Sequence, residues 1–462
     1  MPLFATLRRL FEPRTPAPAA ATAIPAPSLP APPSPCATRE TVRHSVMVCE
    51  PILGRDERIV GPRFALNPRL LARARASGTA SLAAYEDVLL RGLPSGELAA
   101  LAQHQLVCIG LSRVSLTHPA LADLPRHNVA LLLTPTPGDT PADVAAQAAS
   151  IAAQGFQAGL HAAGVNELLA CGDPIAWFEV DTSQHNGMQL RHLAGELRAY
   201  RSLRRAPLRL LAQGLQNDDD FRFCRRAGFD GFSGRFTGQR DGWRAPESEV
   251  NRLRVIDVLN QLRGGADYDV IVTALKPDPV LTFKLLRHIN SAGAGLQQAV
   301  DSVARGLVVL GRDRFYRWLS LLLFDFGQPG YRERMLTAQA LTRARFLELL
   351  AGRGRIPPLP DALFMVGLFS LLDALLGRPL TELVQAVDLP PQVAAALQGQ
   401  PGALSDALAL ACASETDDPL RLDFCAALCR LDALTIASVR LSALNWCEQV
   451  NAGNGTGAPE AE

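Results

Sequence analysis

Lysine is almost absent from this 462-residue sequence, which contains only Lys276 and Lys284 among its basic residues besides arginine. Acidic residues balance the arginines, so the formal net charge is +1. Non-specific binding to nucleic acid depends on a broad basic field, and this chain has none. We therefore expect no nucleic-acid partner.

Paired cysteine motifs are also missing. The nine cysteines are scattered without a CxxC pair, and Cys425 and Cys429 fall on one face of an apolar helical segment. This distribution favours small buried hydrophobic side chains in a reducing compartment over disulfides or a metal site. It predicts a cytoplasmic protein.

Long hydrophobic runs are the third absence. The longest apolar stretch, residues 362–377, contains Asp373 and is too short to span a bilayer comfortably. The opening MPLFATLRRLF could form a short basic amphipathic turn at a membrane surface. A frayed terminus is the favoured interpretation, so we do not expect membrane-surface contact.

Four segments follow from composition and periodicity. A Pro/Ala-rich stretch predicts a disordered tether over residues 1–40, and NAGNGTGAPEAE predicts a disordered tail over 451–462. Between them, residues 41–245 alternate apolar β-like runs with helical segments, and residues 246–450 show only helical spacing. The eight β-like runs cover 44–52, 58–66, 106–111, 128–135, 155–161, 175–181, 207–214 and 228–234.

This alternation predicts the fold class. Apolar runs joined by amphipathic helices indicate an α/β fold with a mostly parallel sheet, and eight runs in about 200 residues suit a TIM-like barrel. The first two runs, separated by LGRDE, suggest a hairpin. We expect a multidomain protein: a TIM-like (β/α) barrel followed by an all-α domain.

The stretch LLRHINSA at 285–292 raises the question of a reaction centre. Asp278 and the proline after it are a helix start, and Asn290 and Ser291, followed by glycines, provide the chemistry of a helix end. His288 lies at the edge of the apolar face, and no partner at helical spacing completes a metal site. Locally, helix capping is the favoured interpretation.

The same region resembles the HDOD domain, a relative of the HD phosphohydrolases, in DPVLTFKLLRHINSAGAGL and VDSVARGLVVLGRDRFYRWLSLLLF. With GLFSLLDALLGRPLTELVQAVDLPPQVAAAL, it is similar to the bacterial EAL–HDOD signalling proteins known as the YuxH family. HD enzymes hold metal through a His-Asp dyad, whereas the similar position here reads Phe369-Ser370-Leu371. The resemblance implies a non-catalytic regulatory module, with Asp278, His288, Asn290 and Ser291 as structural or partner-contact residues.

The stretch MVCEPILGRDERIVGPRFAL resembles the opening of the EAL domain, a barrel that hydrolyses cyclic di-GMP around two Mg²⁺ or Mn²⁺ ions. The resemblance places the expected ligands on unsuitable residues. The position of the signature glutamate is occupied by Arg63 or Phe64. The expected asparagine falls near Gly110, and the position of the next glutamate is occupied by Leu132 or Leu133. The remaining positions hold His161 and Ala162 for two aspartates, Glu179 for a lysine, Gln213 and Gln216 for glutamates, and Ser233 for a glutamine.

Asp181 is the one acid retained, and one acid cannot hold two divalent ions. We therefore expect a degenerate EAL domain without catalytic, cofactor or metal residues, in a signalling scaffold that acts through other signalling proteins. The alternative is a cyclic di-GMP effector that binds the nucleotide weakly, using Arg55, Arg58 and Arg63, without hydrolysis. A residual phosphohydrolase with only His288 is the third and weakest hypothesis. NDDDF at 217–221 suggests acids at a helix start rather than a metal loop.

Overall fold

The structure is a computed structural model, and it describes residues 47–136, 138–162, 164–238, 249–275, 285–286, 289, 302–324, 330–377, 379–387, 389–416 and 418–455. The proposed tether and the boundary at 245–246 lie outside these residues. So do the four HDOD signature residues, which are Asp278, His288, Asn290 and Ser291. Leu285 and Ile289, from the same stretch, are helical and fully buried.

Eight strands close into a barrel in sequence order. The first strand is antiparallel to both of its neighbours, and the others are parallel. Each predicted β-like run overlaps one strand, with bounds that agree to within three residues, and the first two form the predicted hairpin, so the barrel prediction is confirmed. The strands are β1 Met47–Gly54, β2 Ile59–Leu66, β3 Val107–Leu111, β4 Val129–Leu133, β5 Gln157–His161, β6 Ile175–Asp181, β7 Arg209–Leu215 and β8 Gly231–Gly234.

Helices cover the outside of the barrel because its strands are apolar on both faces. All five residues of β4, for example, are buried. The helices begin at polar caps: Thr140 forms a capping box with Asp143, and Asn186 does so with Gln189. These helices are α1 Pro68–Ser77, α2 Thr79–Arg91, α3 Ser95–Ala102, α4 Pro141–Ala153, α5 Val165–Cys171, α6 Gly187–Leu203 and α7 Asp218–Ala227.

The described secondary-structure elements of the second half are all helices, as the spacing predicts. A left-handed Gly311 kinks α10, and the apolar α12 is buried along nearly all of its length. The helices are α8 Glu249–Arg263, α9 Tyr268–Leu275, α10 Val303–Leu321, α11 Tyr331–Leu349, α12 Pro360–Phe369, α13 Leu372–Leu376, α14 Leu380–Ala386, α15 Pro391–Leu397, α16 Ala403–Ser414, α17 Pro419–Cys429 and α18 Ala433–Gly455.

The last helix extends further than the sequence predicts. Helix α18 runs to Gly455, five residues into the segment expected to be a disordered tail. Asn and Gly have low helix propensity, but the preceding turns are anchored by the buried Trp446 and Val450. Among the described helices, none combines the length and hydrophobicity needed to cross a membrane.

Helices α11 and α18 pack the helical half against the barrel. Tyr331 at the start of α11 joins an aromatic cluster with Phe221 and Phe236, and its hydroxyl donates to Asp218. From α18, Ser442 donates to the Glu97 carboxylate over 2.7 Å, and Asn445 donates to the Glu97 carbonyl over 2.8 Å. The two halves therefore share both an apolar core and specific polar contacts.

Candidate functional site

A buried ion pair lies inside the barrel. Arg63 on β2 and Glu179 on β6 form a bidentate contact in which Arg63 Nε and Nη2 donate to the two carboxylate oxygens, the second over 2.9 Å. Glu179 is fully buried and Arg63 is 9% exposed. Alternate residues of barrel strands point inward, so residues distant in sequence meet at this point.

His161, the last residue of β5, adds a third group to the pair. Its Nδ1 lies 2.8 Å from Glu179 Oε2, and Nδ1 must donate because the carboxylate can only accept. Burial opposes ionisation of Glu179, but Arg63 and His161 outweigh it and lower the pKa of Glu179 to about 2. Desolvation likewise opposes charge on Arg63, and Glu179 still raises the pKa of Arg63 above its ordinary value. Both groups are therefore charged at neutral pH.

Glu50 completes this cluster and is missed by the sequence reasoning. It lies directly opposite Arg63 in the antiparallel β1–β2 ladder, with its Oε2 3.8 Å from Arg63 Nη1. Ser233 on β8 donates to the same oxygen over 3.3 Å. Hairpin register was the available signal, since a glutamate and an arginine in paired strands face the same side.

The other predicted site residues are held in local contacts. Asp181 caps the turn after β6, accepting from Ser183 N and Oγ over 3.0 and 2.7 Å. Gln213 pairs with Asp181 in the β6–β7 ladder, and Gln216 donates to the carbonyl of Gly214 over 2.8 Å. The structure thus brings Arg63 and His161 into contact with Glu179, whereas the side-chain hydrogen bonds of Asp181 and Gln216 go to other residues.

Apolar side chains fill another layer of the barrel interior. Leu132, at a position where the EAL resemblance expects an acid, is fully buried with Cys108, Trp177 and Leu211. A Cβ on Gly159 would come within 2.3 Å of the Leu132 side chain, so the leucine occupies the space beside that glycine. This layer provides packing and contributes no oxygen ligand at Leu132.

These residues do not fit a pair of divalent metal ions. Hard cations require several oxygen ligands with net negative charge, but both oxygens of Glu179 are engaged by Arg63 and His161. The Arg63 guanidinium also brings positive charge into the site. Across the described part of the chain, no group of three or more His, Cys, Asp or Glu residues is placed to hold a metal.

Two expectations about neighbouring charges have different outcomes. Arg55 and Arg58, which the effector alternative groups with Arg63, lie in the β1–β2 turn before β2, whereas Arg63 lies near the carboxyl end of β2, so the three arginines do not form one group. Arg55 donates to the Phe229 carbonyl over 2.7 Å, and Arg58 is an exposed neighbour of Asp56. The interpretation of NDDDF as a helix start is confirmed: Asn217 caps α7 and three aspartates form its first turn.

In the helical half, the Phe369-Ser370-Leu371 position is tied to a second buried ion pair. Arg343 on α11 donates to Glu415 through Nε over 2.8 Å and through Nη2 over 2.6 Å, and to Ser370 Oγ over 2.7 Å. Burial opposes the charge on Glu415, but Arg343 lowers the pKa of Glu415 below its ordinary value. Phe369 and Leu371 are fully buried.

No disulfide joins the described cysteines, and most of them are buried. Burial raises the pKa of Cys425 above its ordinary value and the pKa of Cys429 to about 12. Their interpretation as small buried hydrophobic side chains is confirmed for this helix.

Comparison with known proteins finds one family match and several relatives. Residues 251–380 match the HDOD domain family. The chain is 27% identical over 244 residues to the uncharacterized protein YuxH of Bacillus subtilis, covering 52% of this chain and 59% of YuxH. It is 28% identical over 206 residues to the cyclic di-GMP phosphodiesterase CdgJ of Vibrio cholerae, covering 44% of this chain and 47% of CdgJ.

The match therefore spans about half the length of these curated relatives. Among solved structures, a standalone EAL protein from Vibrio cholerae O395 bound to cyclic di-GMP covers 42% of this chain and 91% of its own, with 15% identity and a TM-score of 0.34. The HDOD match in the helical half, together with the similarity to YuxH and CdgJ, confirms the predicted resemblance to EAL–HDOD proteins.

Proposed function

We propose that this chain is a non-catalytic signalling protein of bacterial cyclic di-GMP networks, in which the barrel and the HDOD domain act through protein partners. The network is suggested by the similarity to CdgJ, a cyclic di-GMP phosphodiesterase. The observation that carries the proposal is the buried Arg63–Glu179 pair.

The positions of the positive and negative charge in this pair argue against metal-dependent hydrolysis. The EAL resemblance expects a glutamate on β2 and a lysine on β6, and this chain has Arg63 and Glu179 in the reverse order. The exchanged residues still have opposite charges, so the barrel keeps an internal ion pair. The glutamate expected on β2 as a metal ligand is replaced by Arg63. Activating water on a phosphate ester requires the cations themselves, and Arg63 repels them.

The proposed action through protein partners rests on the helical half. The HDOD resemblance implies a regulatory module, and the position of its expected dyad holds Ser370, bonded to Arg343. Neither residue supplies the ligands that a metal-dependent phosphohydrolase requires.

A direct assay tests the non-catalytic part. Purified full-length protein is incubated with cyclic di-GMP and Mn²⁺ or Mg²⁺, and nucleotides are separated chromatographically. We expect no linear dinucleotide above a protein-free control, and none from the charge-exchanged variant Arg63→Glu/Glu179→Lys, which restores the expected signs but not the other ligands. Hydrolysis by the native protein that is abolished in Glu179→Ala or Asp181→Ala contradicts the proposal.

A genetic experiment tests action without catalysis. A chromosomal deletion is complemented with the native gene or with an Arg63→Met/Glu179→Gln/Asp181→Ala variant whose folding is verified by circular dichroism. We expect equal complementation, because the proposed function needs no chemistry at these residues. Loss of complementation by the folded variant contradicts the idea that the site is dispensable.

Calorimetry separates the competing function, an effector that binds cyclic di-GMP without cleaving it. Arg63 donates through Nε and Nη2 to Glu179, so these two donors are not available for a bidentate contact with phosphate. We expect no heat of binding at high micromolar nucleotide. Saturable binding that is lost in Arg63→Met would replace the scaffold proposal with the effector.

A further inference from the structure

A cavity of about 200 Å³ lies where the barrel meets the helical half. The β1–β2 hairpin and α3 supply one wall, including Pro51, Ile59 and Leu101. Helices α11 and α18 supply the other, including Met335 and Phe346. Binding sites for small molecules often lie at such domain junctions, with apolar walls and a few convergent polar groups.

Two polar side chains in the lining lack a partner among the described residues. Gln105, which follows α3, is only 7% exposed, and its side-chain amide forms no hydrogen bond with the described residues. Glu448 on α18 is partly buried, lines the same cavity, and forms no hydrogen bond or ion pair with the described residues. Neither side chain is among those with a fully buried, unbonded polar atom, so the amide and the carboxyl keep access to the cavity and are available to a ligand there.

The other charged groups of the lining are already satisfied. Arg343 and Glu415 neutralise each other. Arg440 donates to the backbone carbonyls of Ser414 and Cys49. Glu448 is thus the one charged group of the described lining without a polar contact, and it sets the sign of the ligand.

We propose that this cavity binds a small organic cation, a primary amine carried on one aromatic ring or a branched aliphatic group of similar size. The ammonium contacts the Glu448 carboxylate, the apolar body packs against Pro51, Ile59 and Phe346, and Gln105 binds a remaining polar edge.

The volume of the cavity and the charge of Glu448 define this class of ligand. A dry cavity of about 150 Å³ accommodates benzene, so about 200 Å³ holds a single substituted ring. An anion would face the Glu448 carboxylate, while the guanidinium groups of Arg343 and Arg440 already donate to protein acceptors. Burial raises the pKa of Glu448 to about 7, and an adjacent ammonium favours its ionised form.

The inference goes beyond the proposed signalling function and does not depend on it, because no nucleotide or metal takes part. Both halves of the chain form the walls, so a bound cation stabilises the docked arrangement by mass action. The site would make the junction responsive to a metabolite amine.

The test uses the full chain and benzylamine as the cationic probe, with benzyl alcohol and phenylacetate as the neutral and anionic probes of similar size. Binding is followed by ligand-observed NMR and calorimetry. We expect saturable binding of benzylamine, binding at least tenfold weaker for benzyl alcohol, and no binding of phenylacetate. Glu448→Gln, which keeps the shape and removes the charge, should weaken benzylamine at least tenfold and leave benzyl alcohol unchanged.

A cavity-filling variant tests the location. Ala338→Leu on α11 adds three carbons to the cavity wall, and it should abolish binding of benzylamine while circular dichroism shows a folded chain. Three results overturn the proposal: no saturable benzylamine binding, equal binding by Glu448→Gln, or equal binding by a folded Ala338→Leu. Hydrolysis of cyclic di-GMP would contradict the proposed function alone and leave this site unaffected.

Discussion

Removing Arg63 should expose the cost of an uncompensated charge inside the barrel. Arg63→Met keeps much of the side-chain volume but leaves the fully buried Glu179 with His161 as its remaining close partner. Breaking a buried ion pair by removing one partner costs about 3–5 kcal/mol. The double variant Arg63→Met/Glu179→Gln removes both charges, and we expect it to regain most of that loss.

The pKa of Glu179 gives an independent magnitude. Its ordinary value is 4.5 and its folded value is about 2, and each pH unit of difference is worth about 1.4 kcal/mol. The environment of Glu179 therefore contributes about 3 kcal/mol, which agrees with the lower end of the mutational range. Because the pKa is lowered on folding, this contribution is complete above about pH 4.5 and is lost as the pH falls through 2.

Hydrogen exchange read by mass spectrometry suits this chain, because a multidomain protein need not unfold in one step. Peptides covering β2 and β6 report the local opening free energy. At pH 7, Arg63→Met should accelerate their exchange by roughly 100-fold or more, and peptides from α17 should be unchanged. The defect should shrink towards pH 4, because Arg63→Met removes the main group that lowers the pKa of Glu179, and the carboxyl of the variant therefore takes up a proton at a higher pH than in the native chain.

The double variant is the decisive control, because it separates lost charge compensation from lost packing. Its β2 and β6 peptides should exchange within about tenfold of the native rate. If it is as unstable as Arg63→Met, the arginine acts by packing and the electrostatic reasoning is refuted. Acceleration of less than tenfold in Arg63→Met refutes it equally.

Three further substitutions follow from described contacts. Glu448→Gln should stabilise the chain by up to about 3 kcal/mol at pH 8 and by nothing near pH 4 in thermal melts, because a pKa raised from 4.5 to about 7 costs stability as the pH rises through that window. Tyr331→Phe keeps the aromatic cluster but loses the hydroxyl bond to Asp218, so a loss of about 1–2 kcal/mol is expected by chemical denaturation; an unchanged midpoint counts against a role for that bond. Gly61→Ala would place a methyl 1.7 Å from the backbone carbonyl just before β3 and should prevent soluble expression, whereas Gly96→Ala, which meets nothing within 4 Å, should not.

Local periodicity was sufficient to predict the strands and the change to helices. The runs now seen as β4 and β6 are continuous or alternating apolar segments bounded by turn residues, and such patterns depend only on neighbouring residues. Capping chemistry is equally local, which is why NDDDF was correctly interpreted as a helix start. The helix end beyond residue 451 was predicted too early, because anchoring by buried Trp446 and Val450 is a tertiary effect.

For the candidate site, too, the sequence predicts the identity of the residues, and the tertiary structure decides their contacts. Arg63, His161 and Glu179 could be listed from motif positions. The contact between Arg63 and Glu179 depends on strands whose paired residues are 116 apart in sequence closing around one interior, and His161 joins them through Glu179. Glu50 was missed because its importance arises from cross-strand register and from Ser233 on the far side of the hairpin.

The sequence by itself determined the order of elements, the α/β and all-α halves, and the identity of the residues at the expected ligand positions, because each follows from local spacing or residue type. Tertiary structure alone decided that Arg63 and Glu179 neutralise each other, that Arg55 and Arg58 do not form one group with Arg63, and that Gln105 and Glu448 face one cavity. Charge pairing and cavity shape depend on distances between residues far apart in the chain, and only the closed barrel docked on its helical partner fixes those distances.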